Sequence, residues 1–353
     1  MPRIELIAAD RRYPGGPAAL DRLDLAVGPG EYLAVVGPSG SGKSTLLRAV
    51  AGLEPLDAGR ILLDGRAADH LAPADRDAAM VFQDQPLYPH LDVAENLAFG
   101  LRARRRPAAE VARRVAEVAA LMGVGDLLRR APATLSGGQR RRVALGRALA
   151  RSPAILLLDE PLSGLDGPLR DELRGALAEA HRRTGATTLH VTHDQAEALA
   201  LGDRVALLDA GRVAQVGTPA EVYRRPATRS VAAFFGSPPM NFLAGEMLAD
   251  RVLHVEGMGR FDLGMGPAPR PGPVEVGLRP EHLAVDPSGP IRGVVARLEP
   301  VGHEVRAWVD VGPHRLGLRL PTRGAPRLGE PIALRPDWSG ASWFDPSTGL
   351  HLK

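Results

Sequence analysis

The stretch LAVVGPSGSGKSTLLRAVAGL, residues 33–53, constrains the fold more than any other part of this chain. Its first four residues are apolar and suit a buried strand, and from Leu46 the apolar residues recur at helical spacing. Glycines at 37, 40 and 42 fill the short turn between them. Such a turn faces backbone N–H groups inward, and the helix start behind it adds partial positive charge, so the segment is a phosphate cradle. Its candidate ligand-binding residues are Gly37, Ser39, Gly40, Gly42, Lys43, Ser44 and Thr45. The pattern assigns Lys43 to the β- and γ-phosphates of a nucleotide and the Ser44 hydroxyl to Mg²⁺.

Composition sharpens the reading of Lys43. The chain holds 44 basic residues, of which only Lys43 and Lys353 are lysine. Where arginine is otherwise the universal cation, a compact ammonium at this one turn points to chemistry that a planar guanidinium cannot supply.

A second candidate element is AILLLDEP, residues 154–161, an apolar strand that ends in two carboxylates. Asp159 is expected to hold Mg²⁺ and Glu160 to polarise the attacking water as general base. A third is LSGGQ, residues 135–139. Ser136 is a good N-cap there, and Gly137 and Gly138 expose backbone N–H groups at a helix start.

Along the chain, short apolar runs (33–36, 155–158, 188–192) alternate with Ala/Leu/Arg stretches of helical period (108–122, 169–183). That predicts an α/β domain with a mainly parallel sheet over residues 1–235. From Gly236 proline and glycine become dense, and apolar/polar alternation appears over 304–311 and 314–320, predicting a small antiparallel β domain over 236–353.

Several function classes are disfavoured. Cysteine is absent, which removes disulfides, thiolate metal sites and cysteine nucleophiles. The net charge of +3 is too even to suggest nucleic-acid binding, and the arginine clusters at 104–106, 113–114 and 140–142 read as solvated surface. The N-terminus lacks an apolar run of signal-peptide length, and no run of about 18–20 apolar residues exists to span a bilayer as a helix. Transport would require partners that carry the membrane helices.

The string LSGGQRRRVALGRALARSPAILLLDEPLSGLD, residues 135–166, resembles the signature-to-D-loop segment of ABC-family ATPases. The resemblance implies an ABC cassette with a helical subdomain at about 87–150, working as a head-to-tail homodimer on ATP and Mg²⁺. It implies that Ser136, Gly137, Gly138 and Gln139 contact nucleotide held by the partner, with Asp166 at the dimer seam. It assigns Tyr13 to stacking on adenine. Gln83, in MVFQDQPLYPHLDVAENLAFGL, becomes the residue that approaches Mg²⁺ and the water, and His193, in LHVTHDQAEAL, the γ-phosphate partner. Two departures from the family pattern are Asp84-Gln85-Pro86 after Gln83, on the surface expected to face the permease, and His190, read as neutral.

Residues 217–243 and 276–285 (VGLRPEHLAV) resemble the linker and C-terminal domain of carbohydrate-uptake ATPases of the maltose and glycerol-3-phosphate type. That implies an OB-like domain for dimerisation or regulator docking. It also implies two permease subunits, an extracytoplasmic solute-binding protein and a place on the cytoplasmic face of the bacterial inner membrane. A sugar or polyol-type solute is the leading expectation, with polyamine or inorganic-anion import as the alternative and a non-transport soluble ABC ATPase behind them. The solute itself is chosen by proteins other than this chain.

Overall fold

The computed structural model describes residues 1–84, 86–264 and 268–352; Gln85 of the altered loop lies outside them. The chain divides into two compact units, Met1–Pro219 and Ala220–Lys353.

The first unit opens with β1 (Ile4–Arg12), β2 (Ala18–Val27) and β3 (Tyr32–Val36), followed by α1 (Lys43–Ala51). β4 (Ala58–Leu63), β5 (Arg66–Ala67) and β6 (Ala78–Val81) lead into α2 (Val93–Ala103), α3 (Ala108–Leu121) and α4 (Gly137–Ala150). β7 (Ile155–Asp159), α5 (Gly167–Thr184), β8 (Thr187–Val191), α6 (Gln195–Leu201), β9 (Arg204–Asp209) and β10 (Arg212–Gly217) complete it. A six-stranded sheet runs β10-β9-β3-β8-β7-β6, parallel except at the β9–β10 hairpin. A smaller antiparallel sheet runs β2-β1-β4-β5.

β7 shows why the central strands read as continuous apolar runs. Ile155 and Leu157 enter a core shared with α1 and the smaller sheet, while Leu156 and Leu158 enter a second core built by α2–α5. A parallel strand buried on both faces needs apolar residues at every position. Polar residues are then admitted only past its carboxyl end, where Asp159 and Glu160 stand. Helices α2, α3 and α4 pack on one another. Asp92 and Glu95 form a reciprocal cap at the start of α2, and fully buried Asn96 bonds Tyr88 N, Tyr88 O, Leu91 O and Asp92 O. Asn96 thereby fixes residues 88–92 ahead of α2.

The second unit takes in α7 (Pro219–Arg224) and α8 (Arg229–Phe234), then β11 (Asn241–Met247), β12 (Val252–Val255), β13 (Gly259–Asp262) and β14 (Gly272–Leu278). β15 (Leu283–Val285), β16 (Ile291–Val301), β17 (Glu304–Val311), β18 (His314–Pro321), β19 (Pro331–Pro336) and β20 (Ser342–Phe344) follow. Two antiparallel five-stranded sheets, β13-β12-β11-β14-β20 and β15-β19-β16-β17-β18, share one core. Two polar side chains tie it together. Asn241 donates to Leu278 O and Gly317 O and accepts from Gly317 N, which links the two sheets. Arg279, 2% exposed, donates to the carbonyls of Tyr223, Ala232 and Phe235 and lies 4.0 Å over the Tyr223 ring. The 279–281 stretch therefore holds α7 and α8 against the β unit, with Tyr223 Oη donating to Glu281 at 2.6 Å.

Candidate functional site

Residues 37–42 form a tight turn between β3 and α1. Gly42 is the N-cap of α1 at φ 100°, and a Cβ there would sit 2.0 Å from Ala19 O. A Cβ at Gly37 would sit 2.1 Å from Leu208 O. Backbone on both sides leaves no room for a side chain, so the loop's path needs glycine at these two positions. Lys43 folds back over the loop and donates to Gly37 O at 2.9 Å and Pro38 O at 2.8 Å. Burial pushes its ammonium below the ordinary lysine value, against the pull of Glu160 and Asp159. Ser39 and Gly40 form the exposed lip of the turn, and Thr45 is buried beneath it.

Asp159 ends β7 buried, where its Oδ1 accepts from Ser44 Oγ at 3.0 Å. Burial raises its carboxyl above the usual aspartate value; the Ser44 bond opposes this and Glu160 adds to it. Glu160, the next residue, takes the uncommon φ of 47°, and its N–H bonds Val191 O at 2.9 Å. Its Oε2 meets His193 Nδ1 at 3.1 Å and Gln83 Nε2 at 3.4 Å. Tyr13 reaches the same region, with Oη 3.4 Å from Thr45 Oγ1 and a half-exposed ring.

Sheet order explains the convergence. Gly37 follows β3, His193 lies two residues past β8, Glu160 directly follows β7, and Gln83 lies two residues past β6. Those four strands are parallel neighbours in the order β3-β8-β7-β6, so their carboxyl ends open onto one edge, where α/β sheets place ligands.

The 135–139 segment is not joined to this group by any hydrogen bond among the described residues. Leu135 is buried, and Ser136 caps α4: its Oγ accepts from Gln139 N at 3.2 Å, while Gln139 Oε1 accepts from Ser136 N at 2.9 Å. Gly137 is exposed, with open space where a Cβ would point, and a Cβ at Gly138 would meet Leu169 Cδ2 at 2.4 Å. The first N–H groups of the helix have no intrahelical partner. Asp166 is exposed at the N-cap of α5 and makes no side-chain cap bond.

Three features escaped the sequence reading. Arg11, paired with Glu54 and Asp57, places its guanidinium 5.2 Å from the Tyr13 ring. His190 is not a neutral replacement: fully buried, it stands between Tyr32 Oη (2.8 Å from Nδ1) and Glu197 (3.2 Å from Nε2). Thr192 donates to Glu197 at 2.6 Å. The available signals were a histidine within an apolar strand and a glutamate on the buried side of a short helix.

A phosphate-loop nucleotide site, with paired carboxylates at the end of β7, one strand beyond β8, is what this edge of the sheet defines. The chain belongs to the ATP-binding proteins of ABC transporters and is an ATPase of the importer type. It matches the ABC transporter family over residues 20–163, the MalK OB fold domain over 236–283 and the TOBE domain over 276–344. It is 42% identical to the sn-glycerol-3-phosphate import ATP-binding protein UgpC of Bordetella avium, across 97% of each chain. It is 46% identical to the protein of that name from Chromohalobacter salexigens, across 95% of this chain and 92% of the other. Among solved structures it resembles the dimeric ATP-binding cassette MJ0796 in a post-hydrolysis state bound to ADP and Pi, at 30% identity and a TM-score of 0.57. That likeness spans 61% of this chain and 98% of the cassette.

Proposed function

We propose that two copies of this chain pair head to tail around two ATP molecules, and that their closure and reopening drive a permease pair importing a glycerol-phosphate, sugar or polyol solute. The placement of Glu160 carries the hydrolytic part. One carboxylate oxygen, beside the phosphate cradle, is flanked by the amide of Gln83 and the imidazole of His193. Glu160 takes the proton of the attacking water, His193 faces the γ-phosphate, and Gln83 aligns the water and reports on the permease. Lys43 holds the β- and γ-phosphates, and Tyr13 offers its ring to adenine. Ser136, Gly137, Gly138 and Gln139 cover nucleotide held by the partner, with Asp166 at the seam.

Mg²⁺ fits the donors present. The Ser44 hydroxyl and Asp159 carboxylate already meet, and both are hard oxygen ligands. Among the described residues no group of three or more His, Cys, Asp or Glu side chains gathers to hold a metal. That suits an ion bound by one or two protein oxygens together with phosphates. Ser44 and Asp159 would hold it, with Gln83 nearby, and its chemistry would be to neutralise charge on the phosphates.

Permease partnership draws support from a groove of about 560 Å³ lined by Leu53, Met80, Phe82, Tyr88, Phe99 and Arg147. Phe82 and Phe99 are partly exposed in it, and Phe82 directly precedes Gln83. No helix among the described residues is long and apolar enough to cross a membrane, so the permeases carry the path and this chain docks on the cytoplasmic face of the inner membrane. The C-terminal β unit serves dimerisation, with regulator docking as its second use.

The glycerol-phosphate part rests on the full-length relatives. It is tested by purifying the tagged chain from native membranes in mild detergent and identifying its companions. Two permeases and a solute-binding protein are expected, and that protein should bind sn-glycerol 3-phosphate over maltodextrins and polyamines. Preference for a polyamine or an inorganic anion would replace the solute class. Companions drawn from ribosomes or DNA repair, without membrane proteins, would overturn the transport reading.

A further inference from the structure

His193 is exposed over 62% of its side chain, and its ion-pairing contact among the described residues is Glu160. What keeps it aimed there is not its own packing. Thr192 and Asp194, the residues on either side, are both held from beneath. Thr192 N donates to Val35 O at 3.1 Å, and Thr192 Oγ1 accepts from Asp194 N at 3.0 Å. Asp194 Oδ1 in turn caps α6 by accepting from Ala196 N and Glu197 N. The Thr192 hydroxyl spends its proton on Glu197 Oε2, whose other oxygen faces His190.

Burying a carboxylate costs several kcal/mol unless it is well partnered, yet Glu197 is 3% exposed and His190 is 0% exposed. Burial alone would raise the Glu197 carboxyl, but the His190 ring 3.2 Å away, the Thr192 hydrogen bond and the Arg170 charge outweigh it and hold it below the usual range. Tyr32 closes the far end of the chain, and Arg141 also lies in the field of Glu197. The catalytic steps above use none of these groups. The chain Tyr32–His190–Glu197–Thr192 ends on the backbone that carries His193.

We propose that Glu197 and Thr192 are positioning residues for ATP hydrolysis, a buried clamp that holds the 192–194 turn so that the His193 imidazole stays against Glu160. The inference rests on the assignment of Glu160 and His193 to hydrolysis. It predicts a loss in turnover without a loss in nucleotide binding, because neither residue touches the cradle. Outer partners that orient metal-ligating side chains are commonly worth about 10- to 100-fold, and a partner that orients His193 is expected to act on the same scale.

The test uses the full chain with Thr192→Val, Thr192→Ser, Glu197→Gln, His193→Ala and the double variant Thr192→Val/His193→Ala. Thr192→Val should lower kcat by about 10- to 100-fold, with KM for ATP near wild type; its thermal midpoint should fall because buried Glu197 Oε2 loses its donor, so turnover is read well below that midpoint. Thr192→Ser, which restores the hydroxyl, should recover most of it. Glu197→Gln should also retain most of it, since its amide oxygen still accepts from Thr192 and its NH₂ can face the other His190 tautomer. In the His193→Ala background Thr192→Val should cost nothing further. A Thr192→Val loss fully additive with His193→Ala, one carried in KM, or no loss at all would overturn the clamp. A readout independent of turnover separates the two readings. The NMR signal of the His193 ring should move on Glu160→Gln in wild type and cease to do so in Thr192→Val. Retained ring coupling in a wild-type chain without ATPase activity would condemn the hydrolytic assignment and leave the clamp standing, whereas ring coupling undisturbed by Thr192→Val would overturn the clamp.

Discussion

The Nδ1 of His193 lies 3.1 Å from Oε2 of Glu160, although 32 residues separate them and neither is held by a helix. Each sits just beyond a strand, and the two strands, β7 and β8, are hydrogen-bonded parallel neighbours. The Glu160 N–H bond to Val191 O fixes the two exits to one another. The residues proposed as general base and γ-phosphate partner are thus positioned by sheet register.

Glu160→Gln should abolish steady-state ATP hydrolysis by about 10²–10⁴-fold, the range for a lost general base, while ATP binding survives. The variant should then accumulate as an ATP-dependent dimer, read by size-exclusion chromatography with and without Mg·ATP. Turnover equal to wild type would remove Glu160 from that role.

Gly42→Ala should damage both stability and nucleotide binding. The φ of 100° and a Cβ 2.0 Å from a backbone oxygen admit no local relief, and strain of this kind costs about 1–3 kcal/mol before any backbone shift. Denaturant unfolding and ATP titration check it. Gly40→Ala, with open space around its Cβ but φ of 78°, should be the milder change.

Asn241→Ala should destabilise the second unit by about 2–4 kcal/mol, because it leaves Leu278 O, Gly317 O and Gly317 N short of partners. Asn241→Asp should be no better, since it replaces a donor to two carbonyls with a negative charge. All three tryptophans, Trp308, Trp338 and Trp343, lie in this unit. Tryptophan emission during urea unfolding therefore reports its stability selectively.

Acid should loosen the same unit in a defined window. Asp286 is held down to about 2 by hydrogen bonds from Arg335 and Ser288, and Asp345 to about 2 by those from Ser347 and Thr348. A carboxyl whose folded value is depressed stabilises the fold fully above its ordinary value near about 3.9, and that contribution disappears as pH falls towards about 2. The urea midpoint read by tryptophan emission should fall from pH 5 to pH 2. Asp286→Ala/Asp345→Ala should flatten that fall while lowering the midpoint at pH 5.

The residues alone determined the cradle, the paired carboxylates, the capped helix at 136–139 and the change to antiparallel β texture, because each is a local pattern. Glycine spacing, apolar runs and N-cap preferences act within a few residues, so their consequences can be read where they stand. Tertiary structure decided which of these elements meet. The order β3-β8-β7-β6 brings Gln83, Glu160 and His193 to one edge, and nothing in the sequence spacing of 77 and 33 residues states that order. His190 shows the same division: beside its neighbours in the chain it is one polar residue in an apolar strand. Only the packing of α6 against the sheet sets Glu197 opposite its ring, where burial makes their pairing a condition of the fold. Arg279 and Asn241 likewise acquire their roles from carbonyls up to 76 residues away. A buried polar group is explained by partners that long-range folding brings to it, and those partners leave no local trace in the sequence.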